Sequence, residues 1–308
     1  MSKIYLITEF GGSFGFGHLY RSYTLCKNLN IIKDVVPILM NHSKTNNLVN
    51  DFVFENKIHF INQTNEILNF DLKNTTVIMD FYSLNLDDIN KAIGNCRKSF
   101  FIADIHNKIP ETDIVINHLP WANKNDYKSK KKTKFFLGTE YAIIRNEFYN
   151  KPVISNGRVF ICLGNSDDIK KIIIRIHESL VSKGYEPNMI DIVYKEKIKS
   201  INSDVFNNIS AKQIFNLISL SELCLITPGN ISYEVFKVGR NSVIGCLNEG
   251  QIKVAKKFEK LNLCNYVGLW DNFEGLDFDS VMKNSRKVIR TQNQFFKKNS
   301  LNKIKSEI

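Results

Sequence analysis

Short, nearly continuous runs of valine, isoleucine, leucine and phenylalanine recur along the chain and are separated by longer mixed segments. Runs of this length are typical of strands that are buried on both faces of a parallel sheet. In order, they read KIYLIT, DVVPILM, KIHFIN, TTVIMD, KSFFIAD, TDIVIN, TKFFLG, RVFICLG, MIDIVY, ELCLIT and NSVIGC. Helix-length patterns lie between many of them, at 18–29, 84–95, 168–183, 231–239 and 251–262. This alternation predicts an α/β fold of doubly wound units.

The strand and helix pattern starts afresh at residue 158, directly after the segment YNKPVISNG. Proline, serine, asparagine and glycine crowd into this segment, which is the composition of a linker between domains. A chain of 308 residues is also long enough for two domains of ordinary size. We therefore predict two Rossmann-like domains, 1–152 and 153–308, with a cleft between them. The polar segment from 278 to the C terminus predicts a long helix of the second domain that could pack back across both.

The amino-acid composition limits the kinds of protein that this chain can be. Hydrophobic residues make up 43% of the chain and charged residues 24%, which is typical of globular proteins. The chain passes from its first residues directly into a strand pattern, and no stretch approaches the ~18 apolar residues that a membrane span needs. We expect neither a signal peptide nor an integral membrane segment, which leaves peripheral membrane contact open. The scattered cysteines predict buried, reduced thiols in a cytoplasmic protein; they are Cys26, Cys96, Cys162, Cys224, Cys246 and Cys264.

The net charge of +11 is compatible with a nucleic acid, a membrane surface or an anionic small molecule as partner. Lysines concentrate in KSKKKTK at 128–134 and in KKNSLNKIK near the C terminus. Neither run is interleaved with aromatic residues as in a nucleic-acid-binding module. We interpret both as solvated surface lysines, expect no nucleic-acid partner, and favour an anionic substrate.

Polar and glycine-rich segments follow the predicted strands directly. They read TEFGGSFGFGH (8–18), DFYS (80–83), DIHN (104–107), GNSDD (164–168), TPGNISYE (227–234) and CLNEGQ (246–251). Ligands of open α/β sheets bind beyond the carboxyl ends of the strands. These loops are therefore the predicted binding site.

The first loop continues as GGSFGFGHLYRSYTL into a predicted helix. Its glycines allow close approach of the backbone to a ligand, and the helix that follows offers free N–H groups to an anion. The loop lacks a complete dinucleotide fingerprint and a Walker lysine. His18 could act there as a general base, or it could cap or pack the helix. Asp80 could orient His18 and Tyr82 could position substrate or water, or each could be structural.

The segment TPGNISYE starts a second helix after a strand. Its N–H and hydroxyl groups could face a diphosphate, from Thr227, Gly229, Asn230 and Ser232. Glu234 lies about one turn into the helix, where a carboxylate could accept hydrogen bonds from ribose hydroxyls. The alternative is an ordinary N-cap followed by an acidic residue that the helix dipole favours.

The segment GNSDD could form a second phosphate-side turn, from Gly164, Asn165 and Ser166. Asp167 and Asp168 are adjacent, so their side chains point apart, and no third metal ligand is evident. We therefore expect neither a metal nor a cofactor.

Five stretches resemble one family in order. GFGHLYRSYTL resembles the Gly-x-Gly-His-x-x-Arg signature of the UDP-sugar hydrolases of pseudaminic acid synthesis, the PseG/SpsG family. MDFYSL resembles its Asp-x-Tyr element, and GTEYAIIRNEFY its Tyr-Ala-x-Ile-Arg-x-Glu-Phe segment. FICLGNSD resembles its Gly-Gly-Ser/Thr-Asp turn, and TPGNISYEVFKVG followed by GQIKVAKKFEKL its nucleotide loop and Gln-x-x-x-Ala helix. The matches span about residues 4–262.

The resemblance implies a glycosyltransferase-B fold of two Rossmann-like domains, related to the GlcNAc transferase MurG. It further implies that water attacks the anomeric carbon of UDP-2,4-diacetamido-2,4,6-trideoxy-β-L-altropyranose and expels UDP with inversion, without a metal. The second domain would hold UDP. The resemblance assigns the general base to His18, a site tyrosine to Tyr82, the ribose-binding glutamate to Glu234 and a site glutamine to Gln251. We expect Gly15, Gly17 and Arg21 of the first motif to contact the substrate.

The sequence departs from the family pattern at several positions. Gly250 stands where the family has an active-site asparagine before the glutamine, and Asn248 could substitute for it. The second glycine of the phosphate turn is Asn165, and Thr8-Glu9 replaces the usual start of the first loop. An alternative function is therefore a glycosyltransferase that passes the sugar of a UDP-sugar donor to a glycan or lipid acceptor. A third is a nucleotide-sugar binder without catalysis, or a scaffold in a glycan pathway. The sequence does not indicate an oligomeric state.

Overall fold

A computed structural model of the chain describes residues 3–11, 17–42, 52–104, 109–128, 131–164, 168–272, 275, 277–297 and 301–308. The chain divides into two compact units. Unit 1 is Met1–Ile143 with Asn299–Ile308, and unit 2 is Ile144–Lys298. The division thus comes earlier than the position after residue 152 that the sequence indicates. The C-terminal residues belong to unit 1, because Ile304 is fully buried and Arg97 Nη2 donates to the Ile308 carbonyl at 3.0 Å.

Each unit is built, within the described residues, on one parallel sheet. The strands of unit 1 lie in the order β3-β2-β1-β4-β5-β6-β7 and those of unit 2 in the order β10-β9-β8-β11-β12-β13. Unit 1 contributes β1 (Ile4–Phe10), β2 (Val35–Asn41), β3 (His59–Ile61), β4 (Thr76–Asp80), β5 (Lys98–Ile102), β6 (Ile114–Asn117) and β7 (Lys134–Leu137). Unit 2 contributes β8 (Arg158–Cys162), β9 (Ile190–Val193), β10 (Asp204–Phe206), β11 (Ser221–Ile226), β12 (Asn241–Cys246) and β13 (Asn265–Leu269). The apolar runs predict all of these strands except β10, which is very short, and β13, in which Asn265 and Gly268 interrupt the apolar residues.

Six of the described helices lie between strands, as the sequence predicts, and α7 and α8 follow the last strand. They are α1 (Gly17–Asn28), α2 (Leu86–Ile93), α3 (Ile169–Ser182), α4 (Ala211–Leu220), α5 (Asn230–Val238), α6 (Glu249–Lys260), α7 (Phe278–Phe295) and α8 (Leu301–Lys305). The predicted helical patterns omit α4. Local signals explain several ends: the Asn85 side chain accepts from the Asp87 and Asp88 amides at the start of α2, and Gly239 ends α5 at a φ of 74°.

The predicted long C-terminal helix is instead two helices, α7 and α8. Phe296 follows α7 and is buried, with its ring 6.3 Å from that of Phe236 on α5. Val281, Val288 and Gln292 are buried on the same face of α7. This face packs on α5 and β12, which holds α7 in unit 2 although its composition is mostly polar.

The central strands of both sheets are buried on both faces, which explains their continuous apolar runs. All residues of β1 are buried, and the β8 to β11 region contributes a core that includes Val159, Ile161, Leu223 and Leu225. All six cysteines are free thiols, four of them buried. Over the part of the chain that is described, no helix combines the length and the apolar character needed to cross a membrane.

Candidate functional site

Four neighbouring strands of unit 1 bring ionisable side chains to one edge of the sheet. Glu9 stands near the end of β1, and Asp80 is the last residue of β4. Asp104 follows β5, and His118 follows β6. Since the strands are parallel and consecutive in the order β1-β4-β5-β6, their carboxyl ends share one edge. This is the edge at which ligands of open α/β sheets bind.

Asp80 is the centre of this group and is fully buried. His18 Nδ1 lies 2.6 Å from its Oδ1, and the Arg21 guanidinium donates to both carboxylate oxygens, at 2.8 Å from Nε and 2.6 Å from Nη2. Ser22 Oγ completes the set at 3.2 Å. His18, Arg21 and Ser22 share a face of α1 because they are spaced three and four residues apart. The Gly-His-x-x-Arg motif is therefore a helical face that is directed at the end of β4.

The contact with Asp80 decides which nitrogen of His18 is available for chemistry. An ionised carboxylate accepts hydrogen bonds and donates none. It therefore selects the tautomer of His18 that carries the proton on Nδ1. The Nε2 atom is then left as a proton acceptor, in the arrangement of an acid–histidine pair. The prediction that Asp80 could orient His18 agrees with this geometry.

Arg21 is held between two carboxylates. Its Nη1 donates to Asp104 Oδ1 at 2.6 Å, in addition to its contacts with Asp80, and it is 7% exposed. Burial acts to lower the pKa of Arg21, but the charges of Asp104 and Asp80 outweigh it and raise the pKa well above its ordinary value. Burial likewise acts to raise the pKa of Asp104, and Arg21 reverses this and holds it well below the usual range. The structure thus gives Arg21 an internal ionic role, and its contact with the substrate stays a prediction.

Tyr82 stands beside His18 at the surface. Its ring meets the His18 ring edge-on, with centroids 4.4 Å apart, and its hydroxyl donates to Asp104 Oδ2 at 2.7 Å. Burial and then the Asp104 charge raise the pKa of Tyr82, so its hydroxyl stays protonated. Tyr82 is 43% exposed whereas His18 is 5% exposed. Tyr82 therefore lines the path by which a ligand would reach His18.

His118 and Asp104 also belong to this group, although neither is among the predicted site residues. Burial, and then the Arg21 charge, lower the pKa of His118 to about 4, so its imidazole is neutral at physiological pH. The loop DIHN indicates the position of Asp104, but nothing local marks His118. Only the strand order brings it near Arg21.

Three strands of unit 2 also end side by side, and polar loops follow them. They are β8, β11 and β12, which are consecutive in the sheet. After β11, Gly229 and Asn230 are exposed at the N-terminus of α5. Thr227 and Ser232 are buried, and their hydroxyls donate to the carbonyls of Leu163 at 3.4 Å and of Thr227 at 2.8 Å. The hydroxyls therefore shape this loop, while Gly229 and Asn230 present the free helix terminus.

Glu234 lies in α5 and is paired with Arg145. Arg145 donates to both carboxylate oxygens, at 2.6 Å from Nε and 2.7 Å from Nη2. Burial raises the pKa of Glu234, and Arg145 opposes the rise. Arg145 is a site residue that the sequence analysis does not name, although the Tyr-Ala-x-Ile-Arg-x-Glu-Phe segment contains it. Since each carboxylate oxygen can accept more than one hydrogen bond, Glu234 can still accept from a ligand hydroxyl.

Asn248 and Gln251 cap the start of α6. Asn248 Oδ1 accepts from the Gln251 amide at 3.3 Å, and Gln251 Oε1 accepts from the Leu247 amide at 2.8 Å. A Cβ on Gly250 would lie 3.2 Å from Asn248 Oδ1. A larger residue at 250 would therefore press on the capping side chain.

Three predicted site residues, Gly15, Asn165 and Ser166, lie outside the described residues. Gly17 is the first residue of α1, and Gly164 is exposed with a φ of 109°, a conformation that favours glycine. Among the described residues, no three His, Cys, Asp or Glu side chains are arranged to hold a metal ion.

Comparisons with known proteins bear on the fold. No protein-family model matches the sequence. The uncharacterized protein MJ1062 of Methanocaldococcus jannaschii is 26% identical over 281 residues, which cover 81% of this chain. The chain spans only 56% of that protein's length.

Solved structures match nearly the whole chain. The MurG protein of Acinetobacter baumannii covers 99% of this chain and 98% of its own, with 11% identity and a TM-score of 0.59. The UDP-GlcNAc 2-epimerase of Methanocaldococcus jannaschii covers 98% of each chain, with 13% identity and a TM-score of 0.58. The glycotransferase of kitacinnamycin covers both chains fully, with 12% identity and a TM-score of 0.58. At these identities the similarity shows the fold alone, and the predicted glycosyltransferase-B, MurG-like architecture of two parallel-sheet α/β domains is confirmed.

Proposed function

We propose that the protein is a UDP-sugar hydrolase that releases UDP and the free sugar from a UDP-linked diacetamido-trideoxy sugar, as in pseudaminic acid synthesis. The observation that carries the proposal is the His18–Asp80 pair, at 2.6 Å, on the helical face of the Gly-His-x-x-Arg motif. Solved structures with this fold include an epimerase whose name states that it acts on UDP-GlcNAc. A UDP-sugar is thus a substrate class that the fold can serve.

The proposed reaction is an attack of water on the anomeric carbon. His18 Nε2 takes one proton from the water while the new C–O bond forms. The bond between the anomeric carbon and the diphosphate breaks, and UDP leaves with the electron pair. Asp80 holds the Nδ1 proton and stabilises the imidazolium that forms. The same Asp80 carboxylate is held in place by the Arg21 guanidinium, which also contacts Asp104.

Unit 2 supplies the proposed UDP contacts. The N-terminus of α5, at Gly229 and Asn230, would bind the diphosphate, because a helix N-terminus offers unpaired N–H groups to an anion. Glu234 would accept from the ribose hydroxyls, and Arg145 would keep this carboxylate in place. Charge on the leaving diphosphate is stabilised by such preorganised donors, which lowers the barrier to bond cleavage. No metal or cofactor takes part in the proposed step.

The first experiment measures UDP release from the UDP-diacetamido-trideoxy-altrose substrate in buffer alone. We expect wild-type protein to release UDP and free sugar, and His18→Ala to lower the rate by roughly 10²–10⁴-fold, the usual contribution of a general base. UDP binding should be nearly unchanged in His18→Ala, because the proposed UDP contacts lie in unit 2. The matched control is His59→Ala on β3, at the edge of the unit 1 sheet, which should keep the wild-type rate.

Retention of most of the rate by His18→Ala would overturn the proposed mechanism. Absence of release by folded wild-type protein that binds UDP would reject hydrolysis of this substrate. These two outcomes are distinguished by the wild-type measurement alone.

A second candidate function is transfer of the sugar to a glycan or lipid acceptor. Gly250 in place of the family asparagine favours it, and solved structures of the same fold include a glycotransferase. Under this alternative, UDP release requires an acceptor and does not occur with water alone. Adding candidate acceptors to the same assay separates the two functions.

A further inference from the structure

Glu9 is a fully buried carboxylate that the proposed reaction does not use. It lies near the carboxyl end of β1, beside β4, and its exposed fraction is 0%. A buried charge is costly unless it is paired and hydrogen-bonded. Its position one strand away from Asp80 therefore needs an explanation in terms of what it binds.

Glu9 binds the loop that follows β4. Its Oε1 accepts from the backbone amides of Tyr82 and of Ser83, the latter at 3.1 Å. Its Oε2 accepts from Ser83 Oγ and lies 3.0 Å from His42 Nε2. Two successive backbone N–H groups and a hydroxyl thus converge on one carboxylate. The loop after β4 is thereby attached to the neighbouring strand β1 at Tyr82 and Ser83.

The Tyr82 side chain is in turn held at its far end. Its hydroxyl donates to Asp104 at 2.7 Å, and its ring lies edge-on to His18 with centroids 4.4 Å apart. Glu9 fixes the main chain of Tyr82, and Asp104 fixes the hydroxyl. A partly exposed tyrosine on a loop would otherwise have backbone and rotamer freedom, and both anchors remove it.

We propose that Glu9 is a positioning residue that holds Tyr82 against His18 by binding the Tyr82 and Ser83 amides. The proposal rests on the proposed function, in which His18 is the base and Tyr82 positions the reacting groups. Glu9 itself contacts neither substrate nor reacting atoms. A small misplacement of a positioning group lowers the rate of the chemical step more than it weakens ligand binding.

The test compares Glu9→Ala with Glu9→Gln. The alanine leaves the two amides without their acceptor, and we expect kcat for UDP release to fall by roughly 10²-fold, as for a misplacement of about 1 Å. KM and the affinity for UDP should change much less. The glutamine can accept from both amides and donate to Ser83 Oγ and His42 Nε2, so it should retain most of the rate. Ser83→Ala removes only the hydroxyl donor at an exposed position and should give a smaller fall in kcat.

The matched control is Glu66→Gln in the same unit. Glu66 Oε1 also accepts from two successive backbone amides, those of Asn62 and Gln63, at 3.0 and 2.8 Å. This carboxylate caps a short helical turn at Thr64–Asn69 and contacts neither Tyr82 nor His18. Glu66→Gln should leave kcat unchanged.

A second readout does not depend on catalysis. Because the two ring centroids are 4.4 Å apart, we expect the Tyr82 ring current to displace the NMR signal of a His18 ring proton, and Tyr82→Leu gives the position of this signal without the ring. We expect the Glu9→Ala signal to move toward the Tyr82→Leu position, and the Glu9→Gln and Glu66→Gln signals to stay at the wild-type position. Glu9→Asp, which keeps the charge but shortens the side chain and draws the acceptor away from both amides, gives the same test if Glu9→Ala does not fold.

An unmoved His18 signal in Glu9→Ala, or in Glu9→Asp where the alanine variant does not fold, would overturn the proposal, whatever the rates. A fall in kcat for Glu9→Gln equal to that of Glu9→Ala would also overturn it, since the charge and not the anchoring would then matter. If wild-type protein releases no UDP, the proposed function fails, and the NMR comparison still decides whether Glu9 positions Tyr82.

Discussion

At the scale of single residues, the site of unit 1 depends on how Asp80 is shared. Arg21 binds both of its oxygens, and His18 binds one of the same oxygens at 2.6 Å. Removing one partner of a buried ionic group leaves an uncompensated charge and is usually more costly than the pair is stabilising. Substitution of Arg21 would therefore disturb the pairing of Asp80 and Asp104 as well as His18. It is a poor probe of substrate binding.

His118 makes stability depend on pH. Burial, then the Arg21 charge, lower its pKa from 6.5 to about 4. Between these values the unfolded chain binds a proton that the folded chain does not, so the free energy of unfolding falls as the pH falls. The full shift corresponds to roughly 3 kcal/mol. We expect His118→Gln to lose this part of the pH dependence.

Denaturant unfolding between about pH 7 and about pH 4 checks this prediction. Trp121 is the only tryptophan of unit 1, so its fluorescence in a Trp270→Phe background reports on that unit. The comparison is between His118 and His118→Gln in this background. If the free energy of unfolding depends on pH equally in the two proteins, the pKa of His118 is not lowered by folding.

At the scale of elements, tight packing between β12 and the segment after β13 limits what the strand can carry. A Cβ built on Gly245 of β12 would lie 2.5 Å from Cδ2 and from Cε2 of Trp270. Trp270 is fully buried, so its ring has little room to move. The glycine is therefore required by a close approach and not by its φ angle.

We predict that Gly245→Ala destabilises unit 2. Overpacking of a well-packed core costs about 1–3 kcal/mol. Gly94→Ala at the end of α2 is the matched control, because its Cβ would meet the Asn90 carbonyl at an ordinary 3.4 Å. Unfolding of unit 2 can be followed by Trp270 fluorescence in a Trp121→Phe background. Equal stabilities of Gly245→Ala and its parent would show that the ring moves without cost.

At the scale of the whole molecule, each unit carries its own group of polar residues at the carboxyl edge of its own sheet. In unit 1 the group is ionic, and its members bind one another, as Arg21 binds Asp80 and Asp104. In unit 2 an exposed helix terminus stands beside the Glu234–Arg145 pair. The proposed function divides the work accordingly, with proton transfer in unit 1 and UDP binding in unit 2.

This division predicts where UDP protects the backbone from hydrogen exchange. We expect UDP to slow exchange in the loop after β11 and in α5, and to leave the Asp80–Asn85 segment of unit 1 unchanged. At a UDP concentration of a hundred times Kd, binding would stabilise the folded protein by about 2.7 kcal/mol relative to the unfolded chain.

Glu234→Ala is the control for this measurement, because it should weaken UDP binding and reduce the protection at a given UDP concentration. Hydrogen exchange followed by mass spectrometry, with and without UDP, gives the answer peptide by peptide. Protection confined to unit 1 would contradict the assignment of UDP to unit 2.

The sequence indicates much of the architecture and the positions of the candidate loops. Asp80 and Tyr82 are recognisable because polar residues where buried strands end lie at the ligand edge of a parallel sheet. Glu234 is recognisable by its position about one turn into the helix that follows such a strand. Arg145 was present in a recognisable motif, yet its partner was not apparent. His118 carries no local signal, because a histidine after a strand is common and its burial depends on neighbours far away in the chain.

The strand and helix alternation, the two-part organisation and the loops that end the strands can be read from the amino-acid sequence alone. These follow from local apolar runs and from glycine and proline, which act within a few residues. Folding alone assigns the last residues to unit 1, anchors the Tyr82 loop on Glu9 and joins Asp80 to Asp104 through Arg21. The Arg21 and Glu9 contacts join residues 59, 73 and 83 positions apart, and Arg97 contacts Ile308 over 211 positions, so they depend on which segments become neighbours. Strand order is set by packing of the whole sheet, and no local pattern contains it.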